Sequence, residues 1–142
     1  MLSFIQYLTE SGATLPDKHG YYTLYHGTSH GNASRLAKHG WKPGEHSSGS
    51  QGGESKYLYL TNHPENAAWY AGKKGGGKVL QVKVHKDHIK VDPHDGVSDS
   101  VHGELNLNHK LPGSVAAHTK HIAPQHFTHH SNVDQDTSED FD

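Results

Sequence analysis

An α+β fold built on a split, mostly antiparallel β-sheet, with two short helices near the N-terminal half, is predicted by three features of the sequence. Short runs rich in aromatic and β-branched residues outnumber helical patterns, the helical patterns lie early, and the stretches between them are polar and glycine-rich. With 142 residues and 31% hydrophobic content, the chain can bury one modest core. A second domain is not expected.

In "MLSFIQYLTE", Leu2, Ile5 and Leu8 share one helical face, and the turn-rich "SGATLPDKHG" reads as a linker. Residues 1–20 are therefore expected to form a leader and linker, with the folded domain over 21–130. "YYTLYH" has the composition of a first strand and runs into the glycine-containing loop "GTSHGN". Asn32 is the expected N-cap of a helix over "ASRLAKH", where Ala33, Leu36 and Ala37 lie on one side and Gly40 stops it. The next segment, Lys42 to Lys56, is almost without apolar residues and reads as an exposed loop.

"KYLYLT" alternates, placing Tyr57 and Tyr59 on one face of a strand and Leu58 and Leu60 on the other. Asn62 or His63 then caps a second helix with Pro64 in its first turn, and Ala67, Ala68 and Ala71 keep that helix slim. "GKKGGGK" lacks the Ser or Thr of a phosphate loop and is expected to be a connector. "KVLQVKV", "HIKV" and "ELNLNHKLP" are read as strands, the last with alternating Leu105 and Leu107, and "DPHDGVSDSVHG" as a polar loop. "KHIAPQHF" closes the domain, and residues 131–142, with five acidic and no basic residues, are expected to form a disordered tail.

A net charge of -2 gives no broad basic field to hold nucleic acid or anionic lipid. The absence of cysteine removes disulfides and thiolate zinc sites, and no apolar run is long enough to span a membrane. A cytoplasmic monomer without membrane contact is expected. Sixteen histidines could suggest a metal, but they are scattered and form no HExxH. His85 with His88, or His126 with His129 and His130, could catch an ion opportunistically; no metal site is expected.

Three stretches taken together carry a resemblance: "LYHGTS", "ASRLAKHGWKPG" and "YLYLTNHPENAAWYA". The series resembles the NAD-binding core of ADP-ribosyltransferases of the diphtheria-toxin and poly(ADP-ribose) polymerase type, over roughly Thr23 to Ala71. In that family a strand ends in His-Gly-Ser or His-Gly-Thr, and a later strand carries a tyrosine followed eleven residues on by another. Tyr59 and Tyr70 have that spacing. The resemblance implies that His26 bonds the NAD ribose and that the Gly27 backbone holds the nicotinamide carboxamide, with Tyr59 and Tyr70 on opposite faces of the ring. Where the family often has a serine to bond the carboxamide, this chain has Ala67, which leaves Thr28, Ser29 or Asn66 for that contact.

The third member of the family's His-Tyr-Glu triad is a glutamate opening a late strand, and Glu104 heads "ELNLN". Cleaving the ribose–nicotinamide bond produces an oxocarbenium-like cation, which a carboxylate beside the ribose stabilises. Loss of Glu104 is thus expected to spare NAD binding and abolish transfer. The implied activity is mono-ADP-ribosyl transfer from NAD, used as a substrate, to a macromolecular acceptor, protein being favoured over nucleic acid.

RNA 2′-phosphotransferases share "LYHGT", but their pattern needs arginines that this chain, with Arg35 alone, does not supply. From another class, "MLSFIQYLTE" before "SG" is similar to capsid-targeting peptides of large myoviruses, which are cut after Leu-x-Glu, here after Glu10. That resemblance implies a packaged head protein, within the virion and then in the bacterial cytoplasm. A non-enzymatic packaged protein is the corresponding alternative to the transferase.

Overall fold

The computed structural model describes residues 14–43, 57–106, 113–118 and 121–135. The expected targeting peptide, most of the Lys42 to Lys56 loop, Leu107 and the last seven residues of the acidic tail lie outside them.

The elements are β1 (Tyr21–Thr28), α1 (His30–His39), β2 (Leu58–Thr61), α2 (Pro64–Lys73), β3 (Gly77–His85), β4 (Ile89–Val91), α3 (Val101–Leu105), β5 (Ser114–Ala117) and β6 (Phe127–Val133). The strands form one six-stranded sheet in the order β4-β5-β2-β1-β3-β6, with every pairing antiparallel. The predicted α+β class is what the chain adopts.

Alternation decides which face of the sheet holds the core. Tyr22 and Leu24 of β1, Leu58 and Leu60 of β2, and Leu80, Val82 and Val84 of β3 point to one side. There they bury against Ala33 and Leu36 of α1, Trp41 and Ile122. Trp41 and Ile122 exchange backbone hydrogen bonds of 2.9 and 2.8 Å, which ties the end of α1 to the segment before β6. Gly40, at φ 74°, makes the turn between α1 and Trp41 in a conformation that favours glycine.

The opposite face carries α2. Its buried Ala67 and Ala71 lie over Gly27 of β1, and a Cβ at Gly27 would stand 1.8 Å from the Ala67 carbonyl oxygen. The slim helix expected from the alanines is therefore half of a close approach, and Gly27 is the other half.

Several expectations need correction. α1 starts before Asn32: Ser29 is the N-cap, its Oγ accepting from the Asn32 N–H at 3.2 Å. "ELNLN" does not begin a strand, because Val101–Leu105 is a short helix capped by Ser100. A Leu-x-Leu alternation fits a strand, but Val101 and Leu105 at i and i+4 fit one face of a helix equally well, and the Ser100 cap decides for the helix.

The linker is not separate from the domain. Thr14 donates its N–H to Asn106 Oδ1 at 2.7 Å and accepts from Asn62 Nδ2 at 3.0 Å, so the packed chain starts by Thr14 rather than Tyr21. At the other end, Ser131 to Val133 belong to β6 and pair with Gly77 to Val79, so the tail begins later than residue 131. β6 escaped notice because it is an edge strand with its polar residues exposed, and "FTHHSNV" lacks the apolar alternation of a half-buried strand. β5, "SVAA", is too short and too alanine-rich to announce itself.

Candidate functional site

The site starts where β1 and β2 part. They share one registered pair, Tyr25↔Thr61, and counting on in the antiparallel sense would set Gly27 opposite Tyr59. No such pair forms. Instead His26 Nδ1 lies 2.8 Å from the Tyr59 carbonyl oxygen, so a side chain takes the acceptor that a neighbouring strand would have used. A carbonyl can only accept, so Nδ1 carries the hydrogen and Nε2 of the neutral ring is the remaining acceptor.

Burial pushes the His26 pKa down to about 4; the bond to Tyr59 opposes this, and the nearby positive charge of Lys74 adds to it. The ring is therefore neutral at pH 7. Lys74, in the turn after α2, is itself lowered by burial. A histidine depressed on folding stabilises the protein fully above the unfolded value of 6.5, and this stability is lost as pH falls towards 4. About 2–3 kcal/mol should disappear over that window. Urea midpoints measured at pH 7.5 and 4.5 should show it, and His26→Gln should flatten the difference.

Tyr59 projects from the sheet face opposite Leu58 and Leu60, the face that carries α2 and Gly27. Its ring lies 6.0 Å from that of Tyr57 and 6.4 Å from that of His94. Tyr57 in turn accepts from Lys90 Nζ at 2.9 Å. Tyr70 projects from α2, 41% exposed, with the Trp69 ring packed edge-on at 5.0 Å. Its hydroxyl is raised in pKa by burial and then by the charges of Asp95 and Asp92. Tyr59 thus lies near the turn Asp92 to Asp95, which follows β4.

That turn is firmly built. Asp92 is 5% exposed, its Oδ1 accepts from the N–H groups of His94 at 2.8 Å and Asp95 at 3.2 Å, and its carbonyl accepts from Gly96 at 2.9 Å. Sequence reasoning took "DPHDG" for part of a polar loop. The Asp-x-x-Asp-Gly pattern directly after a strand was the available signal of an ordered turn.

The other expected site residues are placed with structural tasks. Gly27 is required by α2, and Ala67, 1% exposed, presses its carbonyl against it. Thr28 is 2% exposed and its hydroxyl accepts from Asn32 Nδ2 at 2.8 Å, while Ser29 caps α1. Asn66 reaches Thr61 Oγ1 at 3.5 Å. Arg35, the only arginine of the chain, donates to Asn32 Oδ1.

Glu104 departs most from expectation. It sits beside the head of β5, where the resemblance wants a carboxylate, but it comes from α3 and is 3% exposed. Its Oε1 accepts from Val97 N–H at 2.9 Å and Ser98 N–H at 3.0 Å, and its Oε2 from Ser114 N–H at 3.1 Å. The carboxylate closes a loop onto β5 and turns away from solvent.

Among the described residues, no group of three histidine or acidic side chains is placed to hold a metal ion, and no helix is long and apolar enough to cross a membrane. No family model, curated protein or solved structure matches the chain.

Proposed function

We propose that the protein is a mono-ADP-ribosyltransferase, using NAD as donor and releasing nicotinamide. The observation that supports this reading best is the His26 imidazole, bonded to the Tyr59 carbonyl where β1 and β2 diverge. It leaves a neutral ring nitrogen able to accept from a ribose hydroxyl, beside a face that bears Tyr59 and Tyr70. The aromatic pair would hold the nicotinamide, a neutral leaving group that needs stacking and orientation rather than an acid.

The acceptor on this reading is a macromolecule, protein before nucleic acid, since net charge -2 provides no attraction for polyanions. A monomer is sufficient for the reaction. With the leader's likeness to a capsid-targeting peptide, the working place would be the bacterial cytoplasm after delivery with phage DNA. A 2′-phosphotransferase is disfavoured because Arg35 is committed to Asn32 rather than to a cluster of arginines.

The test is incubation of the purified chain with labelled NAD and bacterial lysate, alongside Tyr59→Ala and His26→Ala. Wild type should label a lysate component and release nicotinamide, and each variant should lose at least about tenfold in rate, or 1.4 kcal/mol. Absence of NAD binding and of label in wild type would end the enzyme reading and leave the packaged, non-enzymatic protein.

A further inference from the structure

A second cleft lies at the opposite end of β1 from the parting of β1 and β2. It opens between the start of β1, the end of β3 and the segment leading into β6, with a volume of about 200 Å³. Tyr21 opens β1 and His26 is the sixth residue along it, so about 16 Å of strand separates the cleft from His26.

The polar lining is Tyr21, Lys83, His85, His88, His121 and His126, and the apolar lining is Val84, Ile122 and Ala123. Tyr21 pairs with His85 across the two strands, and their rings meet edge-on at 5.2 Å. The Tyr21 ring also stacks with that of His126 at 5.8 Å, 25° from parallel, and the His85 ring lies 5.5 Å from that of His88. A chain of rings therefore runs from His126 through Tyr21 and His85 to His88 along the cleft.

No carboxylate lines it. Asp17 Oδ2 lies 3.9 Å from Lys83 Nζ and Asp87 Oδ2 lies 3.5 Å from His85 Nδ1, but both carboxylates are exposed, and such screened pairs hold little energy against a ligand. His121 Nε2 is 3.5 Å from the His39 carbonyl oxygen, at the limit of a hydrogen bond. His118 adjoins from β5's end, its N–H bonding the His88 carbonyl at 3.2 Å. The charged and titratable groups facing the four imidazoles are thus Tyr21, Lys83, His118, Asp17 and Asp87.

We propose that this cleft binds a small phosphate-bearing anion. One ammonium, four imidazoles and one phenol bring donors from both strands and the two flanking segments, and a phosphoryl group with three terminal oxygens takes more of them than a carboxylate with two. The volume is below the roughly 300 Å³ at which drug-sized sites begin, which suits one phosphoryl group with a short carbon portion against Val84, Ile122 and Ala123. The site is separate from the NAD reading and does not depend on it.

Imidazole is the side chain that gains its charge between pH 8 and 5, so the anion should bind more tightly in acid. Sulfate is a dianion throughout that range and isolates this change from the titration of phosphate itself. The test follows histidine ring signals by NMR while the full chain is titrated with sulfate at pH 6 and pH 8, and with inorganic phosphate, ribose 5-phosphate and acetate at pH 6. His85, His88, His121 and His126 should shift together and saturably while His102, outside the cleft, stays fixed, and sulfate should bind about fivefold or more weakly at pH 8. The double variant Lys83→Gln, His126→Gln should weaken phosphate by about tenfold or more at an unchanged thermal midpoint. Tighter binding of ribose 5-phosphate than of phosphate assigns the site to an organic monoester, and equal or weaker binding assigns it to free phosphate. Acetate binding as well as phosphate, an unchanged affinity in the double variant, or no saturable shift of these rings with any probe would overturn the proposal.

Discussion

Gly27→Ala is expected to destabilise the protein by about 3 kcal/mol, among the largest effects of a single methyl group anywhere in the chain. The new Cβ would lie 1.8 Å from the Ala67 carbonyl oxygen and 2.7 Å from its carbonyl carbon, with the Ala71 nitrogen at 3.2 Å. All three are helix backbone, so no rotamer change relieves the contact. Either α2 lifts away from β1 or β1 bends, and the first would also separate Tyr70 from the sheet face that bears Tyr59. Chemical denaturation gives the stability, with Gly31→Ala as control. Gly31 has nothing within 4 Å of its Cβ position, so that change should be neutral or stabilise by up to about 1 kcal/mol. Equal midpoints for the two variants would contradict the close approach.

Glu104→Ala is expected to cost a comparable amount, also about 3 kcal/mol, by leaving the amides of Val97, Ser98 and Ser114 without their acceptor. Bonds to an ionised carboxylate are worth more than neutral ones, although water can reach the loop near Val97, which is 77% exposed, and recover part of the loss. The loop before α3 and the head of β5 share this one side chain, so both should loosen together. Hydrogen exchange measures it: the three amides should lose protection as a group, ahead of Val82 in the core strand. A catalytic glutamate predicts the opposite pattern, with protection and thermal midpoint unchanged and turnover alone abolished.

The central elements were legible because their signals are local. Alternation in "YLYL" set Leu58 and Leu60 inward and Tyr59 outward, Pro64 marked a helix start, and the unbroken "KVLQVKV" read as a strand. The later part was not, because its signals conflict or are weak. "HGELNLN" satisfies two periodicities over too few residues to choose between them, and β6 has an exposed edge with little apolar pattern to read. The same limit affected the site. His26, Tyr59 and Tyr70 come from segments whose local structure was readable, whereas Glu104 owes its burial to a helix that alternation concealed.

By itself the sequence determined the α+β class, the single core and the side of β2 on which each tyrosine would lie. Those properties depend on period, composition and length, and each is set within a few residues of chain. Only the tertiary structure decided what the candidate groups are free to do. Gly27 faces helix backbone, Thr28 and Ser29 serve α1, and Glu104 is enclosed by three amides up to ten residues away. Whether a carboxylate is a structural acceptor or an available charge depends on which donors the folded chain brings to it, and residue type and spacing do not specify those donors.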